Sequence, residues 1–258
     1  MHLLPALKRH PIPMATKFGH CLVLTYALPA AVLEPLLPPG LTLDRYEDFG
    51  FVAVALVQTR RMRPSFLPAA FGHDFFLAGY RIFTRYQTAE GRNLRGLRIL
   101  RSETDRPLMM RAGNLLTHYH YHLAKVSQVE SERHLAITIR DMQGALRLQV
   151  TADWDDDLPA PLPDGSPFPD SKVARRYAGP LPFTFDYERE THSIVRIQGV
   201  RANWNPQSVR VDVGRNAFLE EGPFAGTKPI LASAFHVADI PYHWKRGIRE
   251  RLPALAPV

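Results

Sequence analysis

The chain is a succession of short apolar segments separated by clusters of turn-forming residues. His20–Leu28 is apolar and rich in β-formers, and Pro29 ends it. Ala30–Leu37 has a short helical pattern closed by Pro38-Pro39-Gly40. Phe51–Thr59 is apolar enough to be a buried strand. Phe75–Thr88 and Leu94–Ser102 flank Glu90-Gly91-Arg92-Asn93, a good hairpin signal. Arg106–Leu116 has the composition of a short helix. Thr117–Val129 and Leu135–Arg140 then flank Ser131-Glu132-Arg133, and Asp141-Met142-Gln143-Gly144 turns the chain into Ala145–Ala152. Such a meander of antiparallel strands with short loops is expected of a barrel or a sandwich.

The stretch Asp155–Asp170, rich in Pro, Asp and Gly, reads as a surface loop leading into a short helix at Ser171–Tyr177. Further strands are predicted at Phe183–Tyr187, Ser193–Val200, Ser208–Val213 and Ile230–Val237. The tail from Tyr242 to Arg251 is basic and weakly helical. There is no internal repeat, and residues 1–258 read as a single domain.

Composition changes this picture little. A hydrophobic content of 45% with 22% charged residues is that of an ordinary soluble protein. No apolar run approaches the roughly 20 residues of a membrane span. The N-terminal apolar patch is short, precedes its charges and is interrupted by prolines, the wrong order for a secretory signal. The lone Cys21 excludes an internal disulfide framework and a cysteine-based zinc site. A cytoplasmic location is the default expectation. The formal charge of +7 is spread along the chain, almost all of it on arginine, without a basic tail or a nucleic-acid-binding motif. Neither a nucleic acid nor a membrane is expected as a partner.

The chemistry concentrates in Thr117–Lys125. On a strand, His118, His120 and His122 would share one face, with Tyr119, Tyr121 and Lys125 on the other. Alternate histidines can present imidazoles to one metal ion, but a further ligand is needed, and no spacing rule ties His73, Asp74, His236 or Asp239 to them. Half-exposed sheet histidines making ordinary hydrogen bonds are the commoner case, so no metal and no cofactor is expected. Lys125 would be a Schiff-base candidate only if desolvated; a lone lysine near a strand end is usually solvated. Arg81 and Arg85 share a strand face and would form a carboxylate pocket if they point inward. Pointing outward, they would be edge charges that discourage aggregation. Glu103 and Asp105 close the hairpin and could pair with such arginines. No GxSxG elbow, HExxH, P-loop or Rossmann glycine pattern occurs.

Several segments together carry a resemblance. They are Leu24–Pro29 (LTYALP), Leu36–Leu41 (LLPPGL), Phe76–Tyr86 (FLAGYRIFTRY), Gly91–Leu100 (GRNLRGLRIL) and Gly113–Tyr121 (GNLLTHYHY). In this order they resemble the YqjF-like family, a domain of unknown function in the acetoacetate decarboxylase superfamily, over roughly residues 15–240. The resemblance implies a mainly β fold: a closed, cone-like antiparallel barrel with a few peripheral helices and an internal ligand cavity. It also implies a lyase-type relationship, and self-association, since relatives in the superfamily assemble into oligomers. In the decarboxylase one lysine forms the Schiff base and a second beside it lowers its pKa. Tyr121 and His122 fall at those positions here, and Lys125 lies beyond them.

The function expected from this frame is binding of a small carboxylate- or carbonyl-bearing molecule. A lyase or isomerase reaction is the catalytic form, with Tyr121, Lys125 and His122 as candidates for chemistry. Tyr119, Arg81, Arg85, His118, His120 and Glu103 are the candidates for binding. A non-catalytic binding or sensing module is the alternative, and a histidine-dependent metalloenzyme the weaker one.

Overall fold

A computed structural model describes residues 6–155, 158–178 and 181–253. The start of the N-terminal apolar patch and part of the acidic run Asp153–Asp157 lie outside the described residues. The first strands are long: β1 (Met14–Pro29), β2 (Leu41–Leu43), β3 (Phe49–Pro64), β4 (His73–Gln87) and β5 (Asn93–Thr104). Helix α1 (Ala30–Leu33) follows β1, and α2 (Pro107–Leu116) follows β5. Next come β6 (Tyr121–Leu123), β7 (Lys125–Ser131), β8 (His134–Arg140) and β9 (Leu146–Asp153), then α3 (Ser171–Ala178). The chain continues through β10 (Phe183–Glu188), β11 (Ser193–Arg201), β12 (Gln207–Ser208) and β13 (Arg210–Asn216). It ends in β14 (Ile230–Trp244) and β15 (Ile248–Arg251).

The strands form an 11-stranded sheet, ordered β12-β14-β1-β3-β4-β5-β10-β11-β15 with β2 on β4 and β6 on β5, and a 4-stranded sheet, β13-β9-β8-β7. The large sheet curls until β11 meets β14. The barrel is nevertheless not strictly closed: β5 and β10 share two residue pairs, and β11 and β14 three. Nor is it wholly antiparallel, because β5 pairs in parallel with both β10 and β6. The mainly β class stands; strict closure and uniform antiparallel pairing do not.

The near-continuous apolar character of β3 now has a cause. Val52, Val54 and Leu56 face the smaller sheet and pack in one core with Leu135, Ile137, Ile139, Leu148 and Val150. The alternate residues Ala53, Ala55 and Val57 face the barrel interior. A strand covered on both sides needs apolar residues at every position. The same parity runs through β4, where Phe76, Ala78, Tyr80 and Ile82 look toward the smaller sheet and Leu77, Arg81 and Phe83 toward the interior.

Two predicted elements are corrected. The tail is not helical: β14 runs to Trp244 and β15 pairs with β11. Tyr242 and Trp244 pack on Phe18, with ring centroids 4.6 and 5.9 Å away, so tertiary aromatic contacts hold the segment extended. Thr117–Val129 is not one strand either. His120 has a positive φ of 50°, a left-handed conformation that breaks strand geometry. β6 then pairs with β5 in the large sheet, while β7 pairs with β8 in the small one. Among the described residues no helix is long and apolar enough to cross a membrane.

Candidate functional site

The barrel interior holds a cavity of about 190 Å³. Its walls are mainly apolar, and its polar groups include Arg81 from β4, Arg201 from β11, Tyr242 from β14, Cys21 from β1, Ser102 from β5, Thr184 from β10, Thr117, Tyr119 and Tyr121 from the segment after α2, His10 ahead of β1, and the indoles of Trp204 and Trp244.

The two tyrosines reach the cavity through local clamps. Asn114 on α2 accepts a hydrogen bond from the Tyr121 N–H (2.8 Å) and donates one to its carbonyl (2.9 Å). Gly113 has no side chain, and a Cβ there would collide with the Tyr121 ring. Thr117 caps the helix by donating to the Gly113 carbonyl (2.7 Å), and its hydroxyl accepts from the Tyr119 N–H (3.3 Å). Glycines make room for two more polar groups. A Cβ at Gly79 would stand 2.8 Å from the Arg81 Nε, and one at Gly199 would collide with the Tyr242 hydroxyl.

Arg81 makes no ion pair among the described residues, and its Nε is buried without a hydrogen-bond partner. Arg201 lies with its guanidinium carbon 4.9 Å from the centre of the Trp204 ring, and its charge bears on the Tyr242 phenol. Burial pushes the Cys21 thiol up to about 11, with Arg81 and Arg201 both pulling the other way. Cys21 is therefore a neutral thiol rather than a nucleophilic thiolate. Burial likewise raises Tyr119, Tyr121 and Tyr242 above the ordinary phenol value. At neutral pH these phenols are protonated hydrogen-bond donors.

Behind Tyr119 and Tyr121 lies Asp186 on β10. It is buried, with Oδ2 lacking a hydrogen-bond partner. Burial raises its carboxyl to about 7, and Arg98 offsets only part of this. Arg98 is itself lowered, first by its own burial, with Asp186 acting the other way. The Tyr119 hydroxyl approaches Thr184 and Asp186 without completing a hydrogen bond of good geometry. A carboxyl that ionises near neutrality can give or take a proton at working pH.

Of the residues singled out in the sequence, the structure brings Arg81, Tyr119 and Tyr121 to this cavity. It places the others elsewhere. Arg85 pairs with the buried Asp44 at 2.7 Å, as does Arg95 at 2.6 Å. Glu103 faces the inter-sheet side, where it accepts from the Tyr80 hydroxyl (3.2 Å) and from Arg101 (3.0 Å). Lys125 is exposed on β7. The change of sheet after Leu123 reverses the in–out parity that would have put it beside Tyr121. His120 and His122 are exposed and His118 half-buried; desolvation lowers all three pKa values. Among the described residues no three His, Cys, Asp or Glu side chains converge as metal ligands.

Sequence reasoning missed Cys21, Arg201, Tyr242, Thr184 and Asp186. Asp186 had a signal: in Phe183-Thr184-Phe185-Asp186 the phenylalanines take one face of a strand, which sends Thr184 and Asp186 to the other.

The sequence matches DUF2071, uncharacterized conserved protein, over residues 16–240. A comparison with curated proteins finds no match. Among solved structures the chain is similar to acetoacetate decarboxylase from Legionella pneumophila, with 12% identity and a TM-score of 0.62 over 93% of this chain and 87% of that one. An acetoacetate decarboxylase-like enzyme from Sphingomonas wittichii RW1 is 14% identical, with a TM-score of 0.60 over 96% of each chain. The enduracididine biosynthesis enzyme MppR, complexed with pyruvate, is 12% identical, with a TM-score of 0.59 over 93% of this chain and 90% of that one. At such identities the likeness is one of fold.

Proposed function

We propose, from the premise that this chain belongs to the DUF2071 family, that it binds a small carboxylate- or carbonyl-bearing molecule in the barrel cavity. The observation that carries the reading is Arg81: a guanidinium facing an apolar cavity, without an ion pair among the described residues, beside two protonated tyrosines. Arg81 is half-buried, with its Nε fully so; a cation against an apolar wall without a counter-charge is unfavourable, and an anionic ligand supplies one. The structural neighbour complexed with pyruvate is consistent with a ligand of this kind.

In its catalytic form the reading is a lyase- or isomerase-type step at a carbonyl. Tyr121 donates a hydrogen bond to the oxygen that gains charge, and Asp186, outside the cavity lining, exchanges a proton with the cavity only by way of the Tyr119 hydroxyl beside it. A Schiff base has no place in it, because none of the six lysines lines the cavity. That same fact favours a second reading, a non-catalytic binding module on the same barrel.

Calorimetric titration with a panel of 2- and 3-oxo acids tests binding. The expected result is saturable binding that Arg81→Met weakens at least tenfold; binding unchanged in that variant would overturn the reading. Proton NMR in heavy water separates the two forms, since loss of signal α to the carbonyl marks turnover and its persistence marks a binding module.

A further inference from the structure

The polar and apolar parts of the cavity are unequal in a way that defines the ligand. Two cations reach it from different strands, Arg81 from β4 and Arg201 from β11. Both act on the Cys21 thiol and both on the Tyr242 phenol, so the two guanidinium groups bear on one region. Among the described residues no aspartate or glutamate lines the cavity; Asp186, whose charge bears on Tyr119 and Tyr121, lies outside the lining and holds its proton to about neutrality. The remainder of the wall is large and apolar, with Phe18, Val57, Met62, Leu77, Met109 and Trp244 among its residues.

We infer that the occupant is a monocarboxylate with a bulky apolar body, an aromatic ring or a medium-length alkyl chain, rather than a short polar oxo acid. The inference rests on the carboxylate reading above and narrows it. A short acid would supply Arg81 with a counter-charge but leave the apolar wall against water. A longer body removes that surface from water, and each buried methylene strengthens binding. Met62 and Met109 are unbranched and polarisable, and they can adjust to bodies of different outline. Arg201 is held against the Trp204 ring, so its side chain is ordered before the ligand arrives.

The test is calorimetric titration of the full chain with unbranched carboxylates from acetate to octanoate, with pyruvate against phenylpyruvate, and with 1-octanol. Affinity is expected to rise about fourfold per methylene until the cavity is full, and phenylpyruvate to bind well ahead of pyruvate. Ala55→Leu narrows the interior and is expected to bring the plateau to a shorter chain. Arg81→Met is expected to weaken octanoate at least tenfold, while Arg85→Met, outside the cavity, leaves it unchanged. Carboxylates that bind with an affinity independent of length would overturn this inference and leave the carboxylate reading standing. Octanol binding as well as octanoate, or no carboxylate binding at all, would overturn the underlying reading itself.

Discussion

Replacing Asp186 with asparagine removes a buried ionisable group while keeping its shape, and the effect is predicted to depend on pH with a defined sign. In the folded chain the carboxyl ionises near 7, against an ordinary value of 3.8. Below about pH 4 both folded and unfolded chains hold the proton, and the group contributes no pH dependence. Between about 4 and 7 the unfolded chain releases the proton while the folded chain keeps it. The wild-type protein therefore loses stability as pH rises through that window, by at most about 1.4 kcal/mol per pH unit and about 4 kcal/mol in total. The loss is complete above 7. Buried histidines act in the opposite sense: His10 and His236 are each lowered to about 4 by burial, so they add stability as pH rises toward 6.5. The wild-type profile alone thus mixes two slopes, and the difference between variant and wild type isolates Asp186. Urea unfolding followed by circular dichroism at half-unit steps from pH 4 to 8 measures it. The stability of Asp186→Asn minus that of wild type should climb by about 4 kcal/mol across the range. A flat difference, or one that falls with pH because the carboxylate is ionised and paired with Arg98, would refute the reasoning.

Three further outcomes follow from the geometry. Asp44→Asn removes the charged acceptor shared by Arg85 and Arg95. Chemical denaturation should show a loss of about 3 kcal/mol, with ligand affinity in the cavity unchanged. Gly199→Ala puts a methyl group against the Tyr242 hydroxyl. It should cost about 1–3 kcal/mol, and clearly less in a Tyr242→Ala background, which removes the ring carbon 2.7 Å from the added Cβ together with the hydroxyl; equal costs in the two backgrounds would show that the methyl group meets something else. Borohydride reduction in the presence of 2- or 3-oxo acids should leave every lysine unmodified by mass spectrometry, and a stoichiometric adduct on Lys125 would contradict its exposed position on β7.

Most elements could be read from local pattern. The helix at Arg106–Leu116 is observed as Pro107–Leu116, and the hairpin around Glu90–Asn93 joins β4 to β5 as the turn residues implied. The errors came where distant contacts overrode local preference. Thr117–Val129 carries an uninterrupted strand composition, yet Gly113 and Asn114 seat Tyr121 on the helix before it. His120 absorbs the resulting turn. The basic tail has helix-compatible composition, but Phe18 recruits its aromatic residues into the sheet.

The sequence by itself determined the β class and the order of the elements, and it singled out Tyr119 and Tyr121 as candidates, because each of these readings depends on residues close together in the chain. Only the tertiary structure decided which face of each strand became interior. It set Arg81 inside and Arg85 against Asp44, though the two share a strand and a parity. It sent Lys125 to another sheet, and it brought Cys21, Thr184, Arg201 and Tyr242 to the same cavity from four separate strands. Side-chain parity is a local property. The position of a face along a curled sheet, and what stands opposite it, is set by pairing between strands that the chain separates by up to 200 or more residues, as in β1 with β14.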